Sequence, residues 1–303
     1  MFEVLVRAIS LILVMVSGYL VKKIGWVKKE DFRIFSKIVL NYTLPCAIIT
    51  SFNEMTIYSS MILLTFIAIA INGICAIAGI LKGKKHGKKD QAFNVLNIGS
   101  FNIGAFTLPY VSSFLGPQGV VITSMFDLGN AIGAAGINYS VAKSLADGKN
   151  KVSVINIIKN MFSNVLFDVY IFMFILRLLD LKLPSAITTF TGVVGQSNTF
   201  LAMLMIGIGF EIHLDKSRIK KVISSLVVRY AIMAVIAICI YFFLPLEQQV
   251  KEVLSLVLFS PIAAMIPGFT QEIKGDVMAS SFMTSLSTII SIIIMTSLLT
   301  LLY

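Results

Sequence analysis

Charged residues are scarce in this 303-residue chain: Asp, Glu, Lys and Arg make up only 13% of it, whereas 57% of its residues are hydrophobic. Soluble domains usually carry about 25% charged residues. The mean hydropathy of +0.91 points the same way. A water-soluble fold of this size could not bury so much apolar surface, but a lipid bilayer can cover it. The composition therefore indicates an integral membrane protein.

The motifs of several enzyme classes are absent. The sequence contains no GxxxxGK[ST] phosphate-binding loop, no HExxH zinc motif and no GxSxG nucleophile elbow. Its two histidines, His86 and His213, lie near predicted loops, and the cysteines (Cys46, Cys75, Cys239) lie in apolar stretches without ligand spacing. We therefore expect no enzyme activity, no cofactor, no metal site and no disulfide.

Long stretches without charged residues are abundant. A bilayer core about 30 Å thick needs roughly 20 helical residues to cross it. The first stretch lacks a basic start and a small-residue cleavage site, so we expect a retained helix rather than a signal peptide. The pattern predicts an all-α membrane protein with ten transmembrane segments. These are residues 3–21, 31–52, 57–81, 90–115, 118–144, 154–181, 184–211, 217–244, 249–271 and 277–303.

The net charge of +10 is unevenly placed, because most lysines and arginines fall in alternate loops. Cytoplasmic loops are enriched in these residues, so the odd-numbered loops are predicted to be cytoplasmic and both termini to face outward. We expect a multi-pass protein of the cytoplasmic membrane, with the lipid bilayer and no nucleic acid as a partner. The odd loops carry Lys22, Lys23, Lys28, Lys29, Arg33 and Lys37; Lys82, Lys84, Lys85, Lys88 and Lys89; Lys143, Lys149, Lys151 and Lys159; Lys216, Arg218, Lys220 and Lys221; and Lys274.

The two halves of the chain have matching segment spacing. Each segment of residues 1–148 has a counterpart in residues 149–303 at an offset of about 150 to 160 residues, a pattern of internal repeats that secondary transporters share. Because five segments is an odd number, the second half must insert in the opposite orientation. The spacing therefore predicts a five-plus-five inverted repeat.

Helix breakers interrupt the fourth and ninth segments near their middles. The fourth contains Asn102, Gly104 and Pro109, and the ninth contains Ser260 and Pro261. Proline removes a backbone donor and glycine loosens a helix, so either break exposes polar backbone that lipid cannot satisfy. Such breaks are either kinks or a crossing pair of discontinuous helices. In a crossing pair, half-helix N-termini near the midplane would suit a carboxylate.

Polar side chains also occur in the second and seventh segments. Asn41 precedes Pro45 in the second, and Asn198 lies in the seventh. These amides either line a substrate path or form hydrogen bonds between helices.

Three charged residues fall inside predicted segments: Asp127, Asp168 and Arg229. A charge at the bilayer centre costs roughly 2.5 to 3.5 kcal/mol on insertion scales, so each should be paired or solvated. Asp127 precedes Asn130 by three residues, which places the two on neighbouring faces of a helix. Asp127 could bond the opened fourth helix, pair with Arg229 or carry a coupling proton, and Arg229 could instead meet an anionic substrate.

Several short motifs occur in a fixed order along the chain: Asn41–Pro45, Asn102–Pro109, Asp127–Asn130, Pro261 with Pro267, and Ser287–Thr288. Together they resemble the auxin efflux carrier family, in its bacterial branch of malate- or malonate-permease-like carriers. The resemblance implies an inverted-repeat fold related to bile-acid symporters and sodium/proton antiporters. It also implies organic-anion substrates and, in many members, a homodimer. Plant carriers have a proline where this chain has Phe101.

The resemblance further implies a scaffold of segments 1, 2, 6 and 7 and a mobile unit of segments 3–5 and 8–10, crossing at segments 4 and 9. We therefore predict a secondary transporter that moves small carboxylates by elevator-type alternating access. The alternatives are a cation/proton antiporter or sodium-coupled symporter of the same fold, and a membrane receptor or scaffold without flux. The predicted substrate-binding residues are Asn102, Gly104, Pro109, Ser260, Pro261, Asn41, Asn130 and Asn198.

Overall fold

The computed structural model describes residues 2–56, 58, 61–147, 165–210 and 216–302, and in this part of the chain every regular element is a helix. His213, the predicted boundary at residue 148 and the start of the sixth segment lie outside the described residues. The α-helices are α1 (Phe2–Lys23), α2 (Phe32–Ile38), α3 (Leu44–Glu54), α4 (Ile62–Gly83), α5 (Lys88–Ile98), α6 (Leu108–Asn130), α7 (Tyr139–Asp147), α8 (Val165–Leu178), α9 (Ser185–Gln196), α10 (Asn198–Gly209), α11 (Lys216–Phe243), α12 (Gln248–Leu258), α13 (Ile266–Glu272) and α14 (Val277–Leu302).

Seven helical stretches among the described residues are long and apolar enough to cross a bilayer, against ten predicted segments. One stretch, Lys88–Asp147, covers the fourth and fifth predicted segments together. The ninth segment is divided into the short helices α12 and α13, and only α8 is described from the sixth. The count of ten therefore stays a prediction. The seven stretches are Phe2–Lys23, Lys29–Glu54, Ile62–His86, Lys88–Asp147, Ser185–Gly209, Arg218–Phe243 and Val277–Leu302.

Large apolar side chains cover the outside of the molecule. On α1, Ile9 and Leu13 are more than half exposed, and on α11 the same holds for Val227 and Val235. An apolar surface of this extent would drive aggregation in water, whereas hydrocarbon solvates it. The surface is therefore that of a multi-pass membrane protein.

The helices are interrupted at several places. In α6, Gly116 has φ +58°, a left-handed value that glycine adopts without strain, and Pro117 follows it. This kink divides α6 into two legs, residues 108–115 and 117–130, at the boundary that the sequence predicts between segments four and five. Wide turns with i→i+5 hydrogen bonds, which are frequent at functional sites, occupy Val39–Thr43, Ile103–Thr107 and Ala131–Asn138.

One group of helices, called the first group, consists of α1, α3, α8, α9 and α10. Its main contacts are α1 with α10, and α3 with both α8 and α9. Glycine permits the closest approach: a Cβ atom at Gly18 would overlap the Leu204 carbonyl, and one at Gly207 would overlap the Met15 carbonyl. Helices with small residues at the interface can bring their backbones into contact.

The second group consists of α4, α5, α6, α7, α11, α12, α13 and α14, again packed mainly on one another. Buried polar bonds join its early and late helices. Ser225 Oγ donates to Asn94 Oδ1 at 2.8 Å, and Ser280 Oγ donates to Asn97 Oδ1 at 2.8 Å. In an apolar interior, such bonds fix the register of neighbouring helices.

Polar contacts at the helix ends fall into two sets. At one end, Lys221 pairs with Asp90 at 2.7 Å and Arg218 pairs with Asp276 at 2.8 Å. These residues lie in or beside loops that the charge pattern places on the cytoplasmic side. In the second set, Arg177 donates to the Met55 carbonyl at 3.2 Å. The assignment of the loops to the two sides of a membrane stays a prediction.

Candidate functional site

Two helix breaks meet in the second group. The fourth-segment break (residues 99–102) follows α5, and the ninth-segment break (residues 259–265) follows α12. The Asn102 N–H donates to the Pro261 carbonyl at 2.8 Å, and Thr107 Oγ1 donates to Ser260 Oγ at 2.7 Å. We call this meeting point the crossover. Because residues 259–265 are not helical, no intrahelical N–H reaches the Pro261 carbonyl, and this carbonyl is available to the fourth-segment break.

Arg229 of α11 lies behind the crossover and is fully buried. Its guanidinium donates to the Ile98 carbonyl and, at 2.9 Å, to the Ser260 carbonyl, and it lies 4.8 Å from the centre of the Phe101 ring. Helix C-termini carry partial negative charge and unpaired carbonyls, so a cation is stabilised there. Arg229 therefore caps the C-terminal ends of both half-helices.

This position corrects two of the sequence-based options for Arg229. Its described hydrogen bonds are to main-chain carbonyls and not to Asp127, and it lines neither of the cavities described below. The sequence suggested a carboxylate or an anionic substrate as partner because it does not show that two helix ends converge on α11.

Side-chain amides and a hydroxyl satisfy much of the opened backbone. Asn138 Nδ2 donates to the Gly99 carbonyl at 2.8 Å, and Asn130 Nδ2 donates to the Phe101 carbonyl at 3.1 Å. In the ninth-segment break, the Ile262 N–H donates to Ser287 Oγ at 3.0 Å. Broken helices are tolerated at membrane depth only when neighbouring groups supply such partners.

The start of the next half-helix is different. It begins at Ile103 and runs into α6. Within the described residues, the backbone N–H groups of residues 103–106 donate no hydrogen bond, and Asn102 makes no side-chain cap. These N–H groups and the positive end of the helix dipole form a local environment that attracts anions.

Asp127 lies close to this helix start and is 9% exposed. Its Oδ1 accepts a hydrogen bond from Asn130 Nδ2 at 3.0 Å, and its Oδ2 accepts one from the Tyr170 hydroxyl at 2.9 Å. Because Asn130 also bonds the Phe101 carbonyl, Asp127 is linked to the fourth-segment break through this amide. Tyr170 is a partner that sequence reasoning missed, since tyrosines in apolar segments are common and no spacing relates it to Asp127.

A cavity of about 230 Å³, the inner cavity, lies beside the crossover. Its walls are mostly apolar, with the start of the half-helix on one side. Asp127 is the one charged residue among its described lining residues. The polar residues of its lining are Ser36, Asn102, Asp127, Asn130 and Tyr170, and Gly104 and Ala105 of the half-helix start also line it.

A larger cavity of about 480 Å³, the vestibule, adjoins the inner cavity. Four residues line both: Phe32, Asn102, Met205 and Ala264. The far wall of the vestibule contains the charged residues Lys29, Glu30 and Arg33 of the first loop region, which the charge pattern places on the cytoplasmic side. On α14 it is lined by hydroxyl groups one helical turn apart, those of Ser281, Thr284, Ser285 and Thr288.

The remaining predicted site residues lie elsewhere. Asn41 is exposed on the outside of the second segment, and Asn198 is buried with its Oδ1 accepting from Thr43 Oγ1 at 2.9 Å. Pro109 is buried inside α6. None of these three lines the inner cavity or the vestibule. Asp168, the third charge inside a predicted segment, is exposed on α8.

Many secondary transporters have discontinuous helices that meet near the middle of the membrane. A family model described as a membrane transport protein matches residues 3–299. The chain belongs to this family, the family of the auxin efflux carriers. The match covers nearly the whole chain and therefore includes both groups of helices. A comparison with curated proteins gave no significant match.

Proposed function

We propose that this family member is a secondary carrier that moves small organic anions across the cytoplasmic membrane. The observation that carries the proposal is the crossover. There, the N–H groups of residues 103–106 donate no described hydrogen bond, and residues 103–105 line an inner cavity that shares four lining residues with the vestibule. A carboxylate in that cavity would accept hydrogen bonds that the protein itself does not supply.

The selectivity for anions has an electrostatic basis. Arg229 neutralises the partial negative charge at the C-terminal ends of the two half-helices. The partial positive charge at the helix start at Ile103 is therefore not offset by these neighbouring ends. At the vestibule, the two cationic side chains of Lys29 and Arg33 outnumber the one carboxylate of Glu30 along the entry route. Charged mouths of this kind raise the local concentration of ions of opposite sign.

Elevator-type alternating access is supported by the packing. The first group contains the described helices of predicted segments 1, 6 and 7 and the outer part of segment 2, and the second group contains those of segments 3–5 and 8–10. The crossover belongs to the second group, which would move against the first as one body within a five-plus-five inverted repeat. Residues of the first loop region, which the charge pattern predicts to be cytoplasmic, line the vestibule, so we infer that this conformation is the inward-facing one.

Uptake of radiolabelled lactate, pyruvate, malonate, malate and succinate into proteoliposomes tests the proposal. Asn102→Leu should lower uptake at least about tenfold, because it fills the junction of the two cavities and removes their shared amide. Asn41→Leu is the matched control, since it makes the same replacement at an exposed site outside both cavities, and it should transport normally.

Three other outcomes are informative. Uptake by Asn102→Leu at the wild-type rate would remove the crossover from the transport path. Binding of an acid without uptake would favour a receptor. The second candidate, a cation/proton antiporter, is favoured by the carboxylate of Asp127 in the inner cavity, and sodium-dependent proton movement without acid uptake would establish it.

A further inference from the structure

The inner cavity contains a charge that conflicts with its proposed cargo. Asp127 lines the cavity beside the half-helix start that would hold the anion. Two negative charges in a small, mostly apolar space repel strongly, because the effective dielectric constant is low. Either the anion is kept out while Asp127 is ionised, or one of the two charges is neutralised.

No cation of the described chain is placed to neutralise Asp127. Arg229 makes its hydrogen bonds to the half-helix ends, and Lys29 and Arg33 line the vestibule but not the inner cavity. The described hydrogen-bond partners of the carboxylate are Asn130 and Tyr170.

The surroundings of Asp127 contain few titratable groups. From α8, Tyr170 contacts it; from α4, the neighbouring polar residues Thr65 and Asn72 do not titrate. The parts of the two breaks and of α13 that line the cavity contribute no titratable side chain. Arg229 packs against the ring of Phe101, which lines the cavity, whereas Arg229 itself does not. Asp127 is therefore the carboxyl group whose proton would respond to the anion.

We propose that Asp127 takes up a proton when the anion binds, so that the carrier moves one anion together with one proton. The idea rests on the proposed function. The proton comes from the aqueous vestibule, binds a carboxylate oxygen of Asp127 and leaves after the site has opened to the other side; no covalent bond of the substrate changes. The cargo class is a small carboxylic acid, because the residues whose N–H groups are free line a small and largely apolar cavity.

The hydrogen bond between Asp127 and Tyr170 links protonation to movement. It joins α6 of the second group to α8 of the first group. A hydrogen bond to an ionised carboxylate is roughly twice as strong as one between neutral groups. Protonation of Asp127 therefore weakens a link that resists sliding of one group past the other, and the empty, ionised carrier is held in place.

The test uses purified protein in vesicles with the membrane potential clamped at zero and the five radiolabelled acids named above. Uptake by the wild type should rise about tenfold as the outside pH falls from 8 to 6, since proton binding is linked to transport. An inward proton gradient should drive accumulation. Asp127→Asn mimics the protonated form, so its exchange of internal for external acid should not depend on pH and a proton gradient should not drive it.

Asp168→Asn is the matched control. It removes a carboxylate from the same membrane region, two residues from Tyr170, but Asp168 is exposed and does not line the cavity. This variant should keep the wild-type pH profile. Uptake by the wild type that is indifferent to the proton gradient, or accumulation retained in Asp127→Asn, would overturn the inference. Absence of uptake of all five acids by the wild type would instead refute the proposed function.

Tyr170→Phe gives an independent test that does not alter the carboxylate. It removes one of the two donors that stabilise the ionised form, while the aromatic ring keeps its packing. The pH at which uptake is half-maximal should therefore move upward, because the neutral carboxyl becomes easier to form. An unchanged profile in a folded Tyr170→Phe protein would also overturn the inference.

Discussion

The two kinds of half-helix end at the crossover are treated in opposite ways. The C-terminal ends are closed: the Ile98 and Ser260 carbonyls bind Arg229, and the Gly99 carbonyl binds Asn138. The N-terminal end at Ile103 is open: its first N–H groups donate no described hydrogen bond, and residues 103–105 line a cavity. Both ends expose polar backbone at membrane depth, yet only one is left for an external partner. The closed ends hold the crossover together, and the open end is the one that we propose binds the anion.

Different measurements should therefore report on the two ends. Changes at the closed end leave buried backbone groups unpaired and should reduce folding stability. Changes at the open end should reduce transport and leave stability nearly unchanged. Thermal unfolding in detergent and uptake into vesicles, measured on the same preparations, can separate the two effects.

The largest effect is expected at the closed end, from Arg229→Met. The substitution leaves the Ile98 and Ser260 carbonyls without their donor in the interior, at a cost of about 3 kcal/mol or more. We expect a large fall in the unfolding temperature and in the yield of folded protein. Arg229→Lys keeps the charge but loses the two-pronged geometry, so its unfolding temperature should lie between those of the wild type and Arg229→Met. Wild-type stability in Arg229→Met would contradict the capping role.

The second-largest effect is expected from Gly99→Ala, also at the closed end, and it should be a loss of stability. A methyl group there would lie 2.5 Å from Asn138 Nδ2 and 3.2 Å from the Val95 carbonyl oxygen. Displacing the amide should cost about 1–3 kcal/mol, as overpacking does elsewhere. Uptake per folded molecule should change less than stability. The comparison would fail if Gly99→Ala lowered uptake with no change in unfolding temperature.

The same substitution at the open end, Gly104→Ala, should give the reverse pattern. Its methyl group would lie 3.2 Å from Leu166 Cδ1 and 3.4 Å from Leu44 Cδ2, side-chain atoms that can shift. The methyl group would also reduce the space beside the free N–H groups, so KM for the transported acid should rise about tenfold with stability within about 0.5 kcal/mol. Gly73→Ala, which meets open space, is the control for helix propensity and should transport normally.

The smallest effect is expected for Thr107→Val. It removes the bonds from Thr107 Oγ1 to Ser260 Oγ and to the Asn102 carbonyl while keeping the side-chain volume. A typical net loss is about 1 kcal/mol, because the freed groups keep other partners. The unfolding temperature should drop by a few degrees, and the pH profile of uptake should stay in place. A drop as large as that of Arg229→Met would mean that the hydrogen bond between Thr107 and Ser260 contributes as much to stability as the Arg229 cap.

The sequence predicts the features that depend on local backbone chemistry. The chain opens at Pro261, as predicted, and in the fourth segment it opens at residues 99–102, of which Asn102 is one of the predicted positions. Gly104 lies in the wide helical turn that follows. Gly116 and Pro117 separate the two legs of α6 at the predicted boundary between the fourth and fifth segments, residues 115–118. The all-α class and the membrane family follow from hydrophobic length and motif order. The count of ten segments, the inverted repeat and the anion remain predictions.

Features that depend on distant parts of the chain could not be predicted in this way. Arg229 lies 131 residues from Ile98, its partner, and no spacing rule relates them. The same applies to Tyr170 and Asp127, which are 43 residues apart. Asn41 and Asn102 have similar sequence surroundings, yet one is exposed and the other lies between two cavities. The residue types show which side chains can form hydrogen bonds or carry charge, but the tertiary packing determines which of them lie beside the cavities.

The close backbone approach at Gly18 and Gly207 has a consequence for local opening. Where no side chain separates α1 from α10, a gap wide enough for water requires the two helices to part as units. Backbone amides along this contact should therefore be among the last to exchange with deuterium, even when other helices fluctuate. Such a slowly exchanging region would give a fixed reference against which the movement of other helices could be measured.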